Sequence, residues 1–210
     1  MSERSIQSVC VFCGSNVGSR PIYVEVAKEL GRELVNRSWR LVYGAGGTGL
    51  MGTVANEVLD CGGEVTGVIP KQLARVELMH EGLTETHVVN TMHERKALMS
   101  KLSDALISLP GGFGTLEETF EVITWAQLGI QPHPIGLLNV EGYYDPLLAM
   151  VQRGIDDGFI RPQYRQLFVD APTVSELIDK MLAYEAMPSV LKDMGREGRG
   201  ERETAFRSEA

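Results

Sequence analysis

The stretch Pro110-Gly111-Gly112-Phe113-Gly114-Thr115-Leu116-Glu117-Glu118 holds the residue types best suited to chemistry. It follows an apolar run, Ala105-Leu106-Ile107-Ser108-Leu109, that reads as a strand, and it leads into an amphipathic helix pattern, Phe120 to Leu128. A strand that breaks at glycines and re-forms as a helix offers unpaired backbone N–H groups to an anion. Gly111, Gly112 and Gly114 let a ligand reach that backbone without meeting a Cβ. Glu118, one turn inside the helix, stands where ribose hydroxyls or a developing cation would meet it. An anion seat beside an acid suits chemistry on a nucleotide or a sugar phosphate. Thr115-x-x-Glu118 also matches a capping box, with Thr115 as N-cap and Glu118 returning to its backbone N–H.

Two further glycine turns follow strands. Gly14-Ser15-Asn16-Val17-Gly18 follows Val9 to Cys13, and Gly44-Ala45-Gly46-Gly47-Thr48-Gly49 follows Leu41-Val42-Tyr43. The second matches G-x-G-x-x-G, but a dinucleotide site also needs an acid at the end of the next strand. Glu64 opens that strand, and Val68-Ile69-Pro70 closes it without an acid. The loop therefore reads as a tight turn that lets strand and helix approach closely. No Gly-Lys-Ser/Thr follows any glycine run, so a Walker loop is absent.

Other reactive side chains read as structural. Cys10 and Cys13 have C-x-x-C spacing, but a redox dithiol needs a helix N-terminus, and strand positions three apart face opposite sides. His80, His87, His93 and His133 lack metal-ligand spacing, so neither a metal nor a cofactor is expected. Trp39 and Trp125 read as core or interface residues.

The elements around these turns alternate. Strands are expected at Val9–Cys13, Leu41–Tyr43, Val65–Ile69, Thr86–Val89, Ala105–Leu109 and Pro134–Leu138, with a short seventh at Leu167–Val169. Helical patterns fill the gaps. Pro21 suits a first turn, and Ile22, Val26, Leu30 and Leu34 share one face. Later helices cover Met92–Leu102, the region around Pro146–Asp157, and about Thr173–Leu182. Repeated β-then-α order with uniformly apolar strands implies an α/β, doubly wound, mostly parallel, Rossmann-like sheet with helices on both faces. All three glycine turns then fall on the carboxyl edge, where such sheets bind ligands.

The 210 residues suit one domain, expected over 1–187, with a flexible charged tail over 188–210. A net charge of −8 argues against a nucleic-acid partner. No run of about 18 apolar residues points to a membrane span. Three cysteines and a start without a secretory pattern lead to the expectation of a cytoplasmic protein.

The strand-end segment resembles the P-G-G-x-G-T-x-x-E motif of the LOG family, the cytokinin-activating phosphoribohydrolases once widely labelled lysine decarboxylases. Met92-His93-Glu94-Arg95-Lys96 is similar to that family's M-x-x-R-K segment. Cys13-Gly14-Ser15, Gly44-Ala45-Gly46-Gly47 and Gly49-Leu50-Met51-Gly52 resemble its first two turns. The similarity runs from about Ser8 to Leu182. It implies hydrolysis of the N-glycosidic bond of a nucleoside 5′-monophosphate, AMP or an N6-substituted AMP, to the free base and ribose 5-phosphate. It also implies Arg95 and Glu118 as the catalytic pair. Substrate contacts would come from Glu77, Lys96, Gly111, Gly112, Phe113, Gly114, Thr115, Leu116, Glu117 and Thr124. A homodimer or higher homo-oligomer follows from the same resemblance, with the helices around Met92 and Gly114 at or near the interface.

Residue types alone leave other readings. The segment Met92–Leu102 reads as a solvated basic face with Met92, Leu98, Met99 and Leu102 in the core. A nucleotide-binding module without hydrolysis would use the same glycines and make Glu118 a helix cap. An amino-acid decarboxylase would need a Schiff-base lysine, and nothing marks Lys28, Lys71, Lys96 or Lys101 as one.

Overall fold

The structure, a computed structural model, describes residues 6–75 and 79–187; Glu77 and the tail 188–210 lie outside them. In chain order the regular elements are β1 (Ser8–Phe12), α1 (Pro21–Asn36), β2 (Arg40–Tyr43), α2 (Gly49–Asp60), β3 (Val65–Pro70), β4 (Glu85–Val89), α3 (Met92–Lys101), β5 (Ala105–Ser108), α4 (Phe113–Leu128), β6 (Ile135–Leu138), α5 (Asp145–Asp156), β7 (Val169–Ala171) and α6 (Val174–Leu182). The strands form one sheet in the order β4-β3-β2-β1-β5-β6-β7, every pair parallel. The doubly wound α/β expectation holds. The seventh strand begins two residues later than expected, because Pro162–Leu167 forms a short 3-10 helix that ends at Leu167.

Alternation along the strands splits the core. Val9, Val11, Leu41, Tyr43 and Ile107 face α1, α2 and α6. Cys10, Phe12, Val42, Val68 and Leu106 face α3, α4 and α5. Central strands buried on both faces have no solvent side to keep polar, which is why their sequences are continuously apolar. A fully buried side chain such as Leu30 contributes about 2 kcal/mol by leaving water. Cys10 and Cys13 fall in opposite clusters, and burial pushes both thiols up, so neither supplies a thiolate. No helix among the described residues is long and apolar enough to cross a membrane.

The chain winds one way from β1 through β4 and the other way from β5 through β7. The switch lies between β1 and β5, whose register pairs Phe12 with Ser108. There the turns join: Gly14 N donates to the Pro110 carbonyl (3.1 Å), and Leu50 N and Met51 N donate to the Gly14 carbonyl (3.0 and 3.4 Å). The start of α2 thus faces protein, which agrees with the tight-turn reading of G-x-G-x-x-G. Gly49 makes this docking possible. Its φ is +64°, and a Cβ would fall on the Ser15 carbonyl. Gly49→Ala is expected to lower stability by about 2 kcal/mol or more, measured as a reduced urea midpoint at unchanged slope.

Candidate active site

Helix α4 starts earlier than the capping-box reading expects. Gly112 is its N-cap, in an extended conformation, and no side chain caps it. Thr115 is therefore the third helical residue and is buried, while Glu118 points elsewhere. The same Thr-x-x-Glu pattern does cap two other helices: Thr91 accepts from Glu94 N (3.1 Å) and Thr173 from Glu176 N (3.4 Å). The glycines decide the difference, because they let the chain turn into the helix two residues ahead of Thr115.

The first N–H groups of α4 have no intrahelical acceptor, and a Cβ on Gly112 or Gly114 would meet nothing within 4 Å. Phe113 is 93% exposed at this end. Opposite it, Gly14–Gly18, Tyr23, Leu50, Pro110–Gly112 and Tyr143 line a cleft of about 240 Å³. An open helix start beside a cleft is a seat for an anion.

Helix α3 brings two cations to α4. The first-turn cap at Thr91 fixes its start, and the peptide N–H of Asn90 is held by Glu94 (2.8 Å). Arg95 is 7% exposed and Lys96 6%, so the solvated basic face is overturned, and Met92, expected in the core, is exposed. Neutralising partners explain the burial. The Arg95 guanidinium donates to the Val68 carbonyl (3.1 Å), within β3, and to the Gly44 carbonyl (3.2 Å), just past β2. Its third nitrogen reaches Glu118 Oε1 at 3.5 Å. Gly44 has to be glycine, since a Cβ there would sit on the guanidinium. Ala45, next in the chain, is held at φ 62°.

Lys96 Nζ donates to Glu117 (2.5 Å) and Glu121 (3.0 Å). Burial works against its charge, but these two hydrogen bonds outweigh it and raise its pKa. Neighbours about 100° apart on α3 thus reach neighbouring turns of α4. For Glu118, burial is the largest influence and pushes its carboxyl up to about 7; Arg95 and Lys96 oppose the rise, while Glu117 and Glu121 add to it. A carboxyl that titrates near neutrality, next to a fixed cation, can stabilise positive charge and exchange a proton with water.

The structure thus gathers Arg95, Lys96, Glu117, Glu118 and the Gly111–Thr115 backbone. Leu116 packs partly buried against the α3–α4–α5 core. Thr124 is exposed, its hydroxyl on the Phe120 carbonyl (2.7 Å), about 10 Å along α4 from Glu117 on the same helical stripe. Tyr143 and Tyr144 escaped the sequence reading. Their signal was the turn Asn139–Asp145 after β6, which the carboxyl-edge rule places beside the other turns.

Comparison with known proteins follows this geometry. The family model described as "Possible lysine decarboxylase" matches residues 51–181. A cytokinin riboside 5′-monophosphate phosphoribohydrolase from Arabidopsis thaliana is 51% identical, covering 88% of this chain and 86% of the relative. A probable cytokinin riboside 5′-monophosphate phosphoribohydrolase from Oryza sativa subsp. japonica is 56% identical, covering 87% and 80%. The solved structure of the Moco carrier protein from Chlamydomonas reinhardtii shares the fold, with a TM-score of 0.63 at 18% identity over 85% of this chain and 99% of that one.

Because its pKa is raised, Glu118 binds a proton more tightly folded than unfolded. Its charge therefore destabilises the fold above about pH 7, and the penalty fades as pH falls toward 4.5. Glu118→Gln is expected to melt at or above the wild-type temperature at pH 8, with the difference shrinking toward pH 5 in thermal scans. A capping role would instead lower the melting temperature at every pH.

Proposed function

The chain belongs to the LOG family of cytokinin riboside 5′-monophosphate phosphoribohydrolases, and from that membership we propose that it hydrolyses the N-glycosidic bond of a nucleoside 5′-monophosphate, AMP or an N6-substituted AMP. The observation that carries the proposal is the buried Arg95–Glu118 pair at 3.5 Å, one turn inside a helix whose open N-terminus can take the phosphate.

The chemistry follows from the residue types. The bond from the base nitrogen to C1′ breaks as positive charge grows on the ribose. The Glu118 carboxylate faces that charge and takes a proton from the attacking water, whose oxygen ends on C1′. The departing base takes a proton from solvent and Glu118 returns its own to solvent, so one water is consumed overall and the products are free base and ribose 5-phosphate. Arg95 cannot give up a proton, so it acts through fixed charge, orienting Glu118 and stabilising the departing purine. Lys96 holds Glu117 and Glu121 in place along the stripe that leads to Thr124. Gly111, Gly112, Gly114 and the backbone of Phe113 and Thr115 receive the phosphate.

Two alternatives lose ground on specific contacts. A binding module with Glu118 as a helix cap does not fit, since Gly112 opens α4 and Glu118 meets Arg95. A Schiff-base decarboxylase needs a free amine, and Lys96, the one buried lysine among the described residues, is held as an ammonium by two carboxylates. The α3–α4–α5 face leaves Met92, Phe113, Phe120 and Met150 exposed, which supports a homodimer through a second copy of this face.

Incubation with AMP is expected to yield adenine and ribose 5-phosphate by chromatography. Glu118→Gln lowers kcat by about 100-fold or more while the fold persists, and Arg95→Ala lowers kcat at least as far and also lowers the melting temperature. Intact AMP with the wild type, across a panel of N6-substituted nucleotides, would sink the proposal. Since Glu118 acts as the carboxylate, kcat/KM rises with pH through about 7 and then levels. In sedimentation, the wild type runs at twice the chain mass and Phe120→Asp shifts it toward the monomer.

A further inference from the structure

The three consecutive carbonyls of the turn between β5 and α4 are each held by a different donor. Tyr144 Oη donates to the Leu109 carbonyl (2.6 Å), Gly14 N to the Pro110 carbonyl (3.1 Å) and Tyr143 Oη to the Gly111 carbonyl (2.5 Å). A peptide unit is planar and trans, so its N–H points away from its C=O. Turning the Gly111 carbonyl toward Tyr143 turns the Gly112 N–H the other way. The Pro110 carbonyl does the same for the Gly111 N–H. Both N–H groups then precede those of the first α4 turn and extend the anion seat by two donors.

The two tyrosines differ. Tyr144 is buried, and its ring lies among core residues. Tyr143 is 37% exposed and lines the cleft beside Gly111 and Gly112. Its ring is braced edge-on between Tyr144 (5.1 Å) and Tyr23 (6.0 Å), which fixes where the hydroxyl stands. The segment that carries it is held in turn. Glu141, at φ 46°, pairs with Arg20, so the β6–α5 turn is tied to the β1–α1 turn across the cleft.

We propose that Tyr143 is a positioning residue for the reaction: its hydroxyl locks the Gly111–Gly112 peptide so that the Gly112 N–H receives the 5′-phosphate. The assignment rests on the hydrolase reading given above. It places the effect on the phosphate end of the substrate and leaves the Arg95–Glu118 chemistry untouched.

Tyr143→Phe deletes one hydroxyl and keeps the ring. Binding is read by calorimetry with ribose 5-phosphate, which needs no turnover and so separates this proposal from the hydrolase reading. The dissociation constant is expected to rise about 3- to 10-fold, the range for one lost hydrogen bond to a turn that can then rotate. KM for AMP rises by the same factor while kcat stays within about twofold. Tyr164→Phe, which deletes a hydroxyl from a ring packed on the α3–α4–α5 core away from the cleft, serves as the control and leaves both constants unchanged. The proposal is overturned if Tyr143→Phe binds ribose 5-phosphate like the wild type, if the wild type does not bind it, or if kcat falls with KM unchanged.

Discussion

The Arg95 guanidinium, clamped on the Gly44 and Val68 carbonyls, is the contact around which this protein is arranged. A planar cation with fixed donor directions can tie two strands to one carboxylate, which a lysine ammonium could not do with the same geometry. It fixes the approach of α3 to the sheet, and through Glu118 it fixes α4. The glycine at 44 is a local concession to that one side chain.

Burying Arg95, Lys96 and Glu118 together is unfavourable unless each charge finds partners, and here each does. Two carboxylates hold Lys96; two carbonyls and a carboxylate hold Arg95. Glu118 is the least compensated of the three, and its raised pKa records that shortfall. A carboxyl so placed keeps its proton to higher pH than one in water. Opposite needs are met a few residues away, where the Leu109, Pro110 and Gly111 carbonyls all accept hydrogen bonds and the Leu109 N–H is spent on the Phe12 carbonyl.

Much of this was legible in the residues. Uninterrupted apolar runs gave the parallel sheet, and glycines after strands gave the edge where ligands gather. The Thr115–Glu118 pattern misled as a local signal, because Thr-x-x-Glu at 91–94 and 173–176 does cap helices. Only the start of α4 at Gly112 distinguishes the third instance, and backbone freedom at glycine is invisible to a side-chain pattern. The burial of Arg95 was equally hidden. Its carbonyl partners come from β3 and the residue after β2, far away in sequence, and carbonyls carry no residue identity. Tyr143 and Tyr144 were readable in principle as residues following a strand end, but an aromatic pair gives no hint that its hydroxyls address another turn.

The placement of β1 beside β5 has a consequence for how the molecule comes into being. The seat draws on Gly14, on Leu109 to Gly111, and on Tyr143 and Tyr144, so three distant stretches of chain must meet. Emerging from the ribosome, β1 through β4 could associate on their own, yet the partner of β1 on its other side is made only after α3. No early folding intermediate therefore owns a finished pocket. The pocket is complete only where the second half of the sheet has joined the first.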